Sequence, residues 1–169
     1  VYVQDAMTHQ LIIIGAGPGG YEVGVKAAKA GLQVLVVEAR KLGGTCLNEG
    51  CIPTKCLCKN ASLLQELKEA NAFGIEAGEV QFDLSKAIAR KDGIVEQLAS
   101  GIATLMKTPG ITLVQGKAKF VDQHTIEVEG TQYSAPNIII ATGSVTKFLP
   151  IEGAHDEGVV TSTEMLNLT

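Results

Sequence analysis

Four apolar residues in a row, Leu11–Ile14, three of them β-branched, stand out near the start of the chain. An unbroken run of this length, without polar alternation, predicts a strand buried on both faces of a parallel sheet. Glycines at 15, 17, 19 and 20 predict a turn after it. Residues 21–30 are alanine-rich with helical spacing, and Gly31 supplies a stop. Residues 34–37 repeat the apolar run and close on Glu38. Strand, helix and strand form a βαβ unit of ordinary size.

Residues 43–53 carry no clear period and are expected to be irregular. Helical spacing returns over 54–70, with Leu57, Leu63, Leu64 and Leu67 expected to face inward. Asp83 is expected to cap a long helix reaching Lys107, which Pro109-Gly110 stops. Short runs at 111–114, 118–121, 125–129 and 132–133 predict strands, and turns around 122–124 and at Gly130 would join them as a small meander. Residues 137–141 predict another buried strand, followed by Thr142-Gly143-Ser144. From Val145 onward the chain is expected to be loop-like, with a short helix near its end. The fold class is therefore α/β, a Rossmann-like arrangement with a parallel sheet and a small β-meander. It is expected to occupy residues 7–169, with 1–6 an appended remnant or a native extension.

Composition narrows the classes. The 169 residues allow one domain of ordinary size. The net charge of −4 and the lack of Trp give no basic patch or stacking platform for nucleic acid. No apolar run reaches the roughly 20 residues that cross a bilayer, and no basic-then-apolar leader is present. These features predict a cytoplasmic protein that binds neither nucleic acid nor membrane.

The turn Gly15-Ala16-Gly17-Pro18-Gly19-Gly20 fits G-x-G-x-x-G. The first glycine makes the tight turn, the second admits a pyrophosphate to the backbone, and the third lets helix and strand pack closely. The open amides of the helix start would meet the phosphate charge. Glu38, about 20 residues on, is placed to accept from ribose hydroxyls.

All four cysteines, Cys46, Cys51, Cys56 and Cys58, fall in one short segment. A secreted disulfide framework spreads its cysteines along the chain, so this cluster points to redox chemistry, a metal or buried thiols. In an ideal helix the Cα atoms of Cys46 and Cys51 would lie roughly 8.7 Å apart. A disulfide needs roughly 4.4–6.8 Å, so pairing them requires a bent backbone. Gly43, Gly44 and Gly50 permit a bend, and Pro53 favours one. A metal site would use closer spacing and further ligands, and none is expected. Cys56 and Cys58 read as small buried apolar residues.

The stretch from Gly43-Gly44-Thr45-Cys46-Leu47-Asn48-Glu49-Gly50-Cys51 through Ile52-Pro53-Thr54-Lys55 closely resembles the signature of the pyridine nucleotide–disulfide oxidoreductases. Ile138 to Ser144 resembles the family's ATG element, and Thr161 to Leu166 the segment before its NAD-binding domain. Leu47 and Ile52 resemble the lipoamide dehydrogenase type more than the glutathione or mercuric reductase types. The resemblance implies an FAD-binding portion, incomplete relative to the full-length family. It implies Cys46 as the thiol exchanging with dihydrolipoamide and Cys51 as the thiolate against the flavin. It places the FAD pyrophosphate on Gly15, Gly17, Pro18, Gly19 and Gly20 and its ribose on Glu38. Further FAD contacts fall to Gly44, Thr45, Cys46, Lys55, Ala118, Thr142, Gly143 and Ser144. NAD would accept the electrons through a domain absent here. Partners would be lipoyl-bearing proteins of 2-oxo acid dehydrogenase or glycine cleavage complexes, with homodimers at full length. The alternatives are a sibling disulfide reductase of the glutathione or mercuric type and a stand-alone, non-catalytic flavin-binding or thiol-exchange module. Glu49 departs from the usual valine and is expected to face solvent. His9, His124 and His155 lie outside any base motif and are expected on loops or the surface.

Overall fold

The computed structural model describes residues 9–168, so the expectation for residues 1–6 lies outside the described residues. β1 (Leu11–Ile14) pairs in parallel with β2 (Val34–Glu38) on one side and β7 (Asn137–Ile140) on the other. β2 pairs in parallel with β3 (Ile111–Gln115), giving the sheet order β3-β2-β1-β7. Every residue of β1 and β2 is buried, as an unbroken apolar run between two covered faces requires.

Side chains alternate between the two faces of the sheet. Ile12, Ile14, Leu35 and Val37 share a core with Ile126, Val128 and Ala135. The last three belong to the meander of β4 (Ala118–Phe120), β5 (Thr125–Val128) and β6 (Thr131–Ser134) or follow it directly. Its strands pair antiparallel in the order β4-β5-β6. Ile13 and Val36 face helix α1 (Pro18–Lys29), where Gly24 lets the helix settle close to the sheet. A Cβ at Gly24 would stand 3.2 Å from Val36 Cγ2 and 3.5 Å from Ile13 Cδ1.

The described chain groups into two compact units. The first runs up to Cys46 and resumes over Ala99–Val145, and it holds the sheet, α1 and the meander. It also holds α2 (Gly44–Glu49) as far as Cys46. The second comprises Leu47–Leu98 and the chain from Thr146. It contains α3 (Cys51–Glu69), most of α4 (Leu84–Leu105) and the one-turn α5 (Ser162–Met165).

Several boundaries differ from expectation for local reasons. α1 begins at Pro18, not residue 21, because proline suits the first helical position and the Gly20 and Tyr21 amides already bond Gly17 O at 2.9 Å. Residues 43–53 are not irregular but helical on both sides of Gly50. Gly50, at φ −143° and ψ −108°, breaks the helix there. Pro53 falls in the first turn of α3, where no intrahelical N–H is required. Leu63 is 49% exposed, and α3 buries Pro53 and Cys56 instead. Cys58 is exposed, against expectation, and both it and Cys56 are free thiols. Glu49 is half-buried rather than solvent-facing. The Asp83 cap is present: its carboxylate accepts from Ser85 Oγ at 2.5 Å and from the Lys86 amide at 3.2 Å. No helix among the described residues is long and apolar enough to cross a membrane.

Candidate functional site

Parallel strands deliver their carboxyl ends to one edge, and the loops leaving that edge build the site. The Gly15 amide donates to Val37 O at 2.7 Å, so the glycine turn starts directly above β2. The Ala141 amide donates to Ile14 O at 2.8 Å, which brings Thr142-Gly143-Ser144 to the same edge, and all three are exposed. The Gly116 amide donates to Glu38 O at 2.9 Å, so the turn into β4 leaves from there too.

The glycine turn is close-packed at two positions and open at two others. Gly15 has φ +106°, and a Cβ there would run into Ala141 O. A Cβ at Gly20 would collide with Gly15 O, so the third glycine of the motif is a packing requirement between helix and strand. Gly17 would bring its Cβ only to ordinary contact, 3.5 Å from Gly44 Cα, and a Cβ at Gly19 would meet nothing within 4 Å. α1 has no side-chain cap at Gly17 and no acidic residue in its first turn. No side chain of its own cap or first turn therefore neutralises the positive end of the helix.

Glu38 is 9% exposed at the end of β2. One oxygen accepts the Ala16 amide at 2.7 Å and the other the Arg40 amide at 2.7 Å. A carboxylate offers about four acceptor positions, so two such bonds orient Glu38 and leave capacity for hydroxyl donors. The sequence did not single out Ala16 or Arg40, whose contributions are backbone amides.

The segment after β2 folds back over the glycine turn. The Gly43 amide donates to Ala16 O at 2.9 Å. Gly44, at φ +63°, approaches so closely that a Cβ would lie 2.7 Å from Gly17 Cα. Thr45 and Cys46 follow on α2, Thr45 exposed and Cys46 half-buried. Within the first unit the fold therefore brings together Gly15 to Gly20, Glu38, Gly44, Thr45, Cys46 and Thr142 to Ser144. Ala118 lies two residues past Gly116 and packs against the core under the meander. Gly43, noted in the sequence only for the bend it permits, and Gly116, not singled out there, both hold this edge. Each is a glycine at positive φ, +97° directly before Gly44 and +149° two residues before Ala118.

Cys46 and Cys51 form a disulfide. The break at Gly50 supplies the bend that an ideal helix would have lacked. Cys51 is exposed and is the first residue of the 19-residue α3. Lys55 lies one turn on, on the same face, and is exposed. Among the described residues, no group of three or more His, Cys, Asp or Glu could hold a metal. His124 and His155 are exposed, and His155 stacks on Phe148 at 4.8 Å. His9 is half-buried against Tyr133, and burial lowers its pKa from the ordinary 6.5.

A glycine turn opening a helix, an acid at the end of the second strand and a disulfide between the two helices that follow define a nucleotide-binding α/β protein with a redox-capable cysteine pair. The chain belongs to the pyridine nucleotide-disulphide oxidoreductase family, whose profile matches residues 9–169. It is similar to the dihydrolipoyl dehydrogenase of Acholeplasma laidlawii, with 44% identity over 165 residues, covering 95% of this chain and 49% of that protein. It is also 44% identical to the dihydrolipoyl dehydrogenase of Thermus scotoductus, covering 95% of this chain and 34% of that one. Among solved structures it resembles the HOCl-induced flavoprotein disulfide reductase RclA from Escherichia coli. There the TM-score is 0.76 at 34% identity, over 95% of this chain and 34% of the other. The chain thus spans about half the length of the first relative and about a third of the others.

Proposed function

We propose that this chain is the FAD-binding and disulfide-bearing portion of a dihydrolipoyl dehydrogenase, which oxidises protein-bound dihydrolipoamide and passes the electrons to NAD. The carrying observation is the Cys46–Cys51 disulfide, whose first cysteine follows the loop that rests on the glycine turn. The similarity to two dihydrolipoyl dehydrogenases supports the substrate.

The residues present fit FAD. The uncapped start of α1 and the open space at Gly17 and Gly19 suit a pyrophosphate. Glu38 keeps acceptor capacity for the ribose, and an acid there disfavours a 2′-phosphate. Gly44, Thr45, Cys46 and Lys55 are assigned to the flavin side, with Thr142, Gly143, Ser144 and Ala118 contributing mostly backbone groups. FAD, when bound, supplies two-electron transfer between a dithiol and a nicotinamide.

The cysteines perform the exchange. One thiolate of dihydrolipoamide attacks Cys46 Sγ, the Cys46–Cys51 bond breaks, and Cys51 leaves as a thiolate at the positive end of α3. The second lipoyl thiol then attacks the mixed disulfide, Cys46 is released as a thiol, and the lipoyl disulfide departs. Two electrons have moved from substrate to protein; one proton ends on Cys46, and the other was released when the attacking lipoyl thiol ionised. Lys55, one turn from Cys51, is a cation suited to favour that thiolate. We assign NAD binding to the additional length the relatives possess. Lipoyl-bearing subunits of 2-oxo acid dehydrogenase or glycine cleavage complexes are the proposed partners, a homodimer the proposed full-length assembly, and the cytoplasm the proposed location. The likeness to a flavoprotein disulfide reductase favours a second reading, a sibling reductase for another disulfide.

The test is an absorption spectrum of the chain loaded with FAD, before and after dihydrolipoamide. A long-wavelength band that grows on reduction places Cys51 against the flavin and supports the assignment. Tight FAD binding with a Cys46–Cys51 pair that dihydrolipoamide leaves oxidised would overturn the substrate.

A further inference from the structure

Lys91 is 1% exposed, in the middle of α4, and none of the chemistry above uses it. A lysine is almost never buried so fully without partners, and Lys91 has three. Its Nζ donates to Leu166 O at 2.9 Å and to Asn167 Oδ1 at 2.8 Å, and it lies 2.9 Å from Asp92 Oδ1. An ammonium carries three donors, so the set is complete. The amide of Asn167 is itself oriented, since its Nδ2 donates to Thr163 O at 2.9 Å.

These contacts close the far end of α5. Its near end is held by a capping box between Thr161 and Glu164. One helical turn does not persist on its own, because nucleation costs more than a single turn returns. Here a buried cation sits on the terminal carbonyl, where the helix dipole is negative. Leu166, which caps α5, is itself buried, at 9% exposed.

We propose that Lys91 is a positioning residue, a buried cationic clamp that holds residues 161–167 against α4. The path of residues 161–167 is then set by a side chain 75 residues before Leu166. The inference is independent of the substrate and of the cofactor.

Amide exchange of the whole chain, read by mass spectrometry, tests it in three variants. K91M keeps the length of the stem and removes the donors. N167A removes one acceptor, and N167D keeps an acceptor and adds a charge opposite the ammonium. The amides of Leu166 and Asn167, bonded to Ser162 O and Glu164 O, report the turn. K91M should speed exchange over 161–168 at least tenfold while peptides of β1 and β2 exchange as before. N167A should speed it severalfold, and N167D, which keeps the acceptor for the ammonium but gives up the donor to Thr163 O, should exchange more slowly than N167A. If K91M does not fold, the contrast between N167A and N167D carries the test alone. Unchanged exchange over 161–168 in K91M or N167A, or an equal rise throughout the chain in N167A, would overturn the clamp.

Discussion

Gly17 and Gly20 are three residues apart in one motif, yet their replacement by alanine should fail in different ways. At Gly20 the new Cβ would overlap the Gly15 carbonyl oxygen, a backbone atom that no rotamer change can move. G20A should therefore lose about 3 kcal/mol of folding stability, the upper end of ordinary overpacking costs. At Gly17, with φ −74°, the nearest atom to a Cβ is Gly44 Cα at 3.5 Å, which is ordinary contact. G17A should keep the unliganded stability within about 1 kcal/mol, the scale of a changed helix cap. The same Cβ enters the space assigned to the pyrophosphate, so FAD affinity should drop at least about tenfold, or 1.4 kcal/mol. Denaturant midpoints and quenching of flavin fluorescence separate the two effects. G17A that binds FAD like the parent chain would remove the glycine turn from the cofactor site.

The caps of the helices make a prediction about pH. Asp83 accepts from Ser85 first and from the Lys86 amide second, and these bonds hold its carboxyl below its ordinary value of 3.8. A depressed folded value means that the cap contributes above pH 3.8 and is lost as pH falls through the lower, folded value. The Lys86 amide resonance should shift across that acid range in the parent chain. In D83N the acceptor oxygen stays and the titration is gone, so the same resonance should remain flat; a Lys86 shift that persists in D83N would mean another group drives it. This cap was legible in the sequence because the signal is local: an aspartate before a helical run. So were β1, β2 and the glycine turn, where four apolar residues, four glycines and Glu38 act within one βαβ unit. The helices flanking Gly50 were not legible, because a proline three residues into a helix looks like a breaker until the start at Cys51 is known. Leu63 misled for a related reason: its period matched an inward face, but the burial of α3 is set by what packs on it. Lys91 left no signal at all, since its acceptors at Leu166 and Asn167 meet it only in the folded chain.

At the scale of the whole molecule, the decisive quantity is the number of dinucleotide seats. The proposed reaction engages two dinucleotides, FAD and NAD, and each requires an uncapped helix start behind a glycine turn. The sequence contains one G-x-G-x-x-G, at Gly15 to Gly20, and its geometry places Glu38 and the segment leading into α2, which carries Cys46, around it. If that seat holds FAD, no second turn of this pattern is left in the sequence for NAD. The thiol half of the reaction needs only Cys46 and Cys51, which are present and bonded to each other. The two halves should therefore separate in a purified sample of these residues. Dihydrolipoamide should reduce the cysteine pair, giving two titratable thiols beyond Cys56 and Cys58. Adding NAD should then yield no NADH above the rate without protein, while a small artificial acceptor that takes electrons directly from a flavin should be reduced. Steady NADH formation by this chain would mean that the glycine turn serves the nicotinamide nucleotide or that a second seat exists outside the motif. The first would move the FAD assignment away from Gly15 to Gly20; the second would leave it there and place NAD on these residues as well.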